Sequence, residues 1–279
     1  MISVITPVYN GERFIQGCLE NVIEQKCPEA EHLLIDGGST DKTVAIISKY
    51  AKRYRHIRWV SEKDQGQSQA LNKGLAMSKG EIISSLNVDD FYEPGVLNQI
   101  LELFKDLPEP SLLVGNCNVW GDEGKILQIN KPKKMGITDL LSLKEPFPWN
   151  PSAYFYHKSL HQKIGLYLTD EPYGPYMMDI DFIIRAVLVA KVKYIDEIWG
   201  NLRLIKGAKT TTLKEKGLHD IYYNQLLERH RQKLSFPLRV LTMIKYILFR
   251  KFKVRRISYY FRNPFKIFSL IRRKLKKLK

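Results

Sequence analysis

The chain has 279 residues, 44% of them hydrophobic and 11% aromatic, which suits the core of one large domain with an appendage or of two small domains. Its three cysteines, Cys18, Cys27 and Cys117, are odd in number and lack a Cys-x-x-Cys spacing, which argues against a disulfide framework or a zinc site and favours a reducing compartment. The net charge of +16 is unevenly placed: residues 230–279 carry 17 Lys or Arg and no acid, leaving 28 bases against 29 acids in residues 1–229.

The N-terminal "MISVITPVYNGERF" predicts a buried strand ending in a Pro-Val-Tyr-Asn-Gly loop. A helix follows over about Glu12 to Gln25, with Phe14, Ile15, Leu19, Val22 and Ile23 on one face. "EHLLIDGGSTDKT" predicts a second strand, a Gly-Gly loop and a helix capped by Ser39, Thr40 or Asp41. "HIRWVSEKDQGQ" predicts a third strand with a polar loop, residues 67–78 a helix, and "EIISSLNVDD" a fourth strand. Such alternation predicts an α/β fold, in which the loops at the carboxyl ends of the strands gather where ligands bind. Thr6 to Asn10, Asp36 to Ser39, Asp64 to Gln67 and Asn87 to Asp90 are therefore expected to converge. Residues 111–178 are less regular, with two strands around an Asp-Glu-Gly turn, a strand-like Ala-Tyr-Phe-Tyr and a Gly/Pro loop feeding a helix at "MDIDFIIRAVL". No signal peptide is expected, and no run of about 18 apolar residues predicts a membrane-spanning helix.

Two like charges, Asp89 and Asp90, end the fourth strand. Adjacent carboxylates repel unless a cation or donor compensates them, and Mg²⁺ or Mn²⁺ typically takes one or two protein carboxylates while bridging to substrate phosphates. The bland alternative is an acidic turn before the helix near Pro94. Asp36, at the second strand's end, can cap the next helix or accept from a nucleobase N–H, and Asp64 offers a second acceptor next door. Three acidic strand ends around one edge suit a nucleotide and a metal better than three separate caps.

"SVITPVYNGERFI", "LLIDGGSTDKTVAII", "VSEKDQGQSQALNKGLAMSKGEIISSLNVDDFYEPG" and "MDIDFIIR" resemble, in order and over about residues 2–205, the successive motifs of family 2 glycosyltransferases. The resemblance implies a GT-A fold, a Rossmann-like mixed sheet flanked by helices, together with a nucleotide-sugar donor, a divalent cation and inversion at the anomeric carbon. Carried over to this sequence, it places Asp36 and Asp64 at the nucleotide base, and Thr6, Pro7 and Tyr9 beneath the nucleoside. It sets Asn72 and Lys73 near the donor, and Asp89 and Asp90 on the metal. Asn87 stands where the family often has Asp, and can hydrogen-bond a ribose hydroxyl. Asp179 resembles the carboxylate that takes the acceptor's proton, against the alternative of a first-turn acid; Asp181, four residues before Arg185, suits a helical ion pair. Ile205 replaces a His common in the family, with Lys206 or Lys209 as substitutes at the diphosphate. Trp149 suits an acceptor wall on which a sugar stacks, and His157 and His161 receive no role.

The division expected is a catalytic domain over 1–205 and a helical basic amphipathic region over 206–279. In that region Leu241, Ile244 and Leu248 share a helical face, as do Phe268, Ile271, Leu275 and Leu278 beyond a break at Asn263-Pro264. Basic helices with one apolar face lie in membrane interfaces, so an anionic membrane surface is the expected partner, ahead of a protein interface or nucleic acid. The chain is thus expected to act at the inner face of the cell membrane on a lipid-linked or glycan acceptor in surface polysaccharide synthesis. The alternative is a catalytically impaired relative that only binds nucleotide sugar.

Overall fold

The computed structural model of the chain describes residues 1–251 apart from 122, 143–146, 171–173, 206 and 208. Its first half alternates as the hydrophobic pattern predicts: β1 (Ile2–Val8), α1 (Ile15–Glu24), β2 (Ala30–Asp36), α2 (Thr43–Arg53), β3 (Ile57–Ser61), α3 (Gln67–Met77) and β4 (Ile82–Ser85). Then come β5 (Phe91–Tyr92), α4 (Val96–Lys105), β6 (Ser111–Trp120), β7 (Ile126–Asn130) and α5 (Ile137–Leu140). β8 (Tyr154–His157), α6 (Leu160–Ile164), α7 (Gly174–Ala186) and β9 (Lys191–Arg203) lead to α8 (Lys209–Glu215), α9 (His219–Gln232) and α10 (Phe236–Lys251).

The strands form one mixed sheet in the order β3-β2-β1-β4-β8-β6-β9-β5, with β7 pairing β6. The first four are mutually parallel, which the crossover helices α1, α2 and α3 permit. β8 runs antiparallel to both β4 and β6, and β9 returns parallel to β6. Register aligns Val8 with Asp36 and Asp36 with Ser61, so the carboxyl ends of β1, β2 and β3 lie side by side.

Side-chain alternation divides the core between the sheet's two faces. Tyr154 and Tyr156 join Ile5, Ile83 and Phe182 on one face, while Phe155 joins Val4, Leu97, Phe104 and Trp199 on the other. Leu227 of α9 and Leu234 just after it belong to the first of these clusters, so the C-terminal helices begin as part of the packed body rather than beyond it. Arg231 donates to the Leu141 carbonyl at 2.6 Å, and Lys245 of α10 reaches Asp139 Oδ1 at 2.8 Å. No helix among the described residues is long and apolar enough to cross a membrane. Leu248's side chain and the second amphipathic face, Phe268 to Leu278, lie outside the described residues.

Candidate active site

The nucleotide-side loops are built by their own polar residues. Asp36, at the end of β2, is fully buried and spends its carboxylate inside the loop that follows. Oδ2 accepts from the backbone N–H groups of Gly38 and Ser39 and from the Ser61 hydroxyl, at 3.1, 3.0 and 2.6 Å, and Oδ1 accepts from the Ser39 hydroxyl at 2.5 Å. These four protein donors occupy the Asp36 carboxylate and fix the loop that follows β2. Asp64 is half-buried, and a Cβ on Gly37 would lie 3.0 Å from its Oδ2, so glycine lets this carboxylate approach the β2 loop closely. Asp64 Oδ1 accepts from the Gly66 N–H at 2.8 Å. Tyr9 stands 64% exposed at the rim, and Pro7 is half-buried. Thr6 is fully buried, with its hydroxyl 2.9 Å from His32 Nε2.

Asn72 and Lys73 face elsewhere than expected. Asn72 clamps the Tyr167 backbone, donating to its carbonyl at 3.0 Å and accepting from its N–H at 2.9 Å. Lys73 pairs with Glu62 at 2.6 Å. Helical spacing turns these α3 positions to flanking contacts; sequence proximity to the donor motifs does not fix their facing.

The acidic motif divides its labour. Asp90 is 3% exposed, and its carboxylate accepts from Asn87 Nδ2 at 2.8 Å, Asn150 Nδ2 at 2.6 Å and the Arg203 backbone N–H at 3.0 Å. Burial first, and the Asp89 charge second, push its pKa well above the usual carboxylate range. Asp90 is thus buried and bonded within the motif, whereas Asp89 is the more open of the two carboxylates expected at a cation. Asp89 is half-buried; burial raises its carboxyl too, against its own backbone N–H and the Arg203 guanidinium. Arg203 lies over the Phe91 ring at 4.7 Å. Asn87 accepts from Gln67 Nε2 at 2.9 Å while donating to Asp90, a pairing that an ionised Asp could not make because it has no donor to offer.

Among the described residues, no three of His, Cys, Asp and Glu gather as a ready metal cage. The donor set present, one half-buried carboxylate in the turn between β4 and β5, fits a hard cation that draws its other ligands from a diphosphate and water. Lys206 lies outside the described residues, as does the Lys209 side chain.

Asp179 sits across the sheet's middle, on α7. The helix begins at Gly174, so Asp179 lies in its second turn and is not a first-turn acid. Its Oδ1 is 3.5 Å from the hydroxyl of Tyr154, which β8 supplies next to β4. Burial pushes its pKa up to about 6, only partly offset by Tyr154. Two residues on, Asp181 is 2% exposed and forms the expected pair with Arg185 at 2.6 Å. The sequence did not point to its second partner, His230 of α9, at 2.9 Å. Nor did it point to Asn150, whose signal was only the Asn-Pro that opens a 3-10 turn over Pro151–Ala153. Trp149 is 47% exposed; His157 and His161 are engaged within the fold, by the Ser111 N–H and the Tyr156 hydroxyl.

Comparison with known proteins finds the same design. The family model for Glycosyl transferase family 2 matches residues 3–163. A chondroitin synthase of Escherichia coli is 31% identical over 237 residues, covering 82% of this chain. This chain spans only about a third (33%) of that synthase's length. The uncharacterized glycosyltransferase EpsJ of Bacillus subtilis is 25% identical over 84% of this chain and 67% of its own. Among solved structures, S. aureus TarS 1–349 in complex with UDP-GlcNAc superposes over 93% of this chain and 74% of its own, with a TM-score of 0.67 at 19% identity. The mannosyltransferase PcManGT of Pyrobaculum calidifontis, in complex with GDP-Man and Mn²⁺, gives 0.56 at 16% identity over 90% of this chain and 81% of its own. At such identities the two structures establish the GT-A fold.

Proposed function

The chain belongs to glycosyltransferase family 2, and from that premise we propose that it moves a sugar from a nucleoside diphosphate donor to a hydroxyl of a glycan acceptor, with inversion. The observation that carries this reading is the division of carboxylates. Asp89 is half-buried in the turn between β4 and β5, and Asp179, on α7 beside Tyr154 of β8, has its pKa raised by burial to about 6. The donor loops of Asp36, Asp64 and Tyr9 would take the nucleoside, a uridine or guanosine diphosphate by the family's habit, with Asn87 at the ribose edge. Asp89 would hold a divalent cation, Mg²⁺ or Mn²⁺, which supplies positive charge to the departing diphosphate. Arg203 adds a fixed cation on the same side, in a position to stand in for the His that Ile205 replaces. Asp179 would accept the acceptor hydroxyl's proton as the oxygen attacks the anomeric carbon from the face opposite the diphosphate. Its raised pKa suits a general base, since the group is ionised at neutral pH yet still basic enough to take a proton.

The basic C-terminal region belongs to the same proposal. Phe236, Leu238 and Leu241 of α10 are 71%, 37% and 44% exposed, apolar side chains left at the surface beside a strongly basic sequence. Docking on the anionic inner face of the cell membrane would bring the catalytic edge to a lipid-linked acceptor.

Calorimetric titration of the full chain with UDP and GDP, with and without Mn²⁺, tests the donor site. Cation-dependent binding of one nucleotide, weakened at least tenfold by Asp89→Ala and unchanged by Asp179→Asn, is expected. A folded chain that binds neither nucleotide overturns the reading.

A further inference from the structure

Two buried amides frame the exposed tryptophan. Asn130, at the end of β7, is 2% exposed and grips both ends of the Phe147-Pro148-Trp149 step. Its Nδ2 donates to the Phe147 carbonyl at 3.0 Å, and its Oδ1 accepts from the Trp149 N–H at 2.9 Å. Proline between them has no N–H to satisfy, so one side-chain amide serves the whole step. Asn150 follows, 1% exposed, and also uses both ends of its amide. Its Oδ1 accepts from the Ser152 N–H and hydroxyl, at 2.9 and 2.5 Å, capping the short turn, while Nδ2 donates to Asp90 Oδ2 at 2.6 Å. The backbone of Trp149 is therefore pinned on one side to β7 and on the other, through its neighbour, to the buried carboxylate of Asp90, next in sequence to Asp89. β9 makes room for this arrangement, since a Cβ on Gly200 would collide with the Ser152 hydroxyl and fall 2.8 Å from its carbonyl carbon.

We propose that Asn130 and Asn150 are positioning residues that hold the Trp149 indole in fixed register with the Asp89 cation site, making Trp149 a sugar platform keyed to the leaving group. The proposal rests on the donor-site reading given above. Its chemistry is specific to asparagine at 150. Aspartate would keep the cap but face Asp90 with a like charge; serine would keep the cap but fall short of Asp90; alanine would lose both. A sugar stacked on Trp149 would be placed relative to the diphosphate through two hydrogen-bonded links rather than through a free loop. An exposed indole on a loosely held loop would lack that register, and misplacement of a reacting hydroxyl by about 1 Å costs about 10²-fold in rate.

The test is ¹⁹F NMR of the full chain labelled with 5-fluorotryptophan, which gives four resonances, with Trp149 assigned by its loss in Trp149→Phe. The unligated protein should show a single narrow Trp149 resonance. Asn150→Ser and, independently, Asn130→Ala should shift or split it, leaving those of Trp59 and Trp199 in place. In the wild type, Mn²⁺ with UDP or GDP should broaden the Trp149 resonance beyond the Mg²⁺ control, and in Asn150→Ser that broadening should fall by more than half at equal nucleotide saturation. An unaltered Trp149 resonance in both folded variants overturns the positioning role. Nucleotide binding by calorimetry with no broadening at Trp149 overturns its register with the cation. Absence of nucleotide binding defeats the donor-site reading instead, while the unligated spectra still decide whether the two amides set the tryptophan.

Discussion

At the scale of single residues, Asp179, the proposed base, illustrates how burial retunes an ordinary carboxyl. With its pKa held near 6, it is protonated in acid and ionised near neutrality. Transfer rate should therefore rise as pH passes upward through about 6 and level off above it, and Asp179→Asn should lower kcat by about 10²–10⁴ while leaving donor affinity within about threefold. The same shift weakens the native state. A carboxyl whose folded pKa lies above its unfolded value of about 3.9 favours the native state below that value and loses this contribution as pH rises towards 6. Asp179→Asn should therefore raise Tm at pH 7.5 and have no such effect at pH 4; equal shifts at both would refute a desolvated Asp179. Asp90 shows why some roles escape the sequence. Its identity in the acidic pair was plain, but beside the local donor Asn87 its other donors, Asn150 and Arg203, lie 60 and 113 residues away, so its burial could not be read from the motif. The hydrogen bonds of Asp36 and Thr6 escaped for a related reason, since a strand-end position does not say whether a side chain is free or already satisfied.

Elements carry the next level of structure. Strands β1 to β4 and helices α1 to α3 were legible because apolar runs and caps alternate with little interference, although β4 stops at Ser85, short of the acidic motif. β9 was not legible, because most of its first eight residues are at least partly exposed and four of them are charged, so no buried run announces it. α7 and α9 meet through a buried cluster, Asp181 with Arg185 and His230. Burial pushes the Asp181 carboxyl up, but the His230 hydrogen bond and the Arg185 charge outweigh it and hold the pKa below the usual range. Asp181→Ala removes the acceptor of buried His230 and the carboxylate of half-buried Arg185, and should cost about 3 kcal/mol in urea unfolding at pH 7. Because the folded pKa is depressed, the contribution is present above about pH 4 and is lost as pH falls below it, so the variant's deficit should shrink in acid. In β9, Gly200→Ala drives a methyl into the backbone of Ser152 and should cost about 1–3 kcal/mol, with the Asn150 link to Asp90 disturbed in the same step. A variant as stable as the wild type by thermal melting would mean that the turn yields without penalty.

For the whole molecule, the first contrast is charge. A near-neutral body and a C-terminal stretch of 17 bases without an acid should bind vesicles of 30% anionic lipid strongly at 50 mM salt and much less at 500 mM, with each base near the surface adding about 1 kcal/mol at low salt. Binding that ignores both salt and lipid charge would contradict an electrostatic attachment. The second feature is the sheet itself. β4, which leads to Asp89, β8, which carries Tyr154 beside Asp179, and β6 and β9, which frame them, are consecutive strands of one hydrogen-bonded sheet. A continuous sheet has no hinge. Donor and acceptor sides cannot close on each other as two lobes, so any gating of the cleft falls to the loops at its rim. Amide hydrogen exchange should then reveal a single cooperative unit, with the central strands opening only in global unfolding and their protection rising together when a ligand binds. Such an enzyme would recognise its substrates by pre-formed fit rather than by engulfing them.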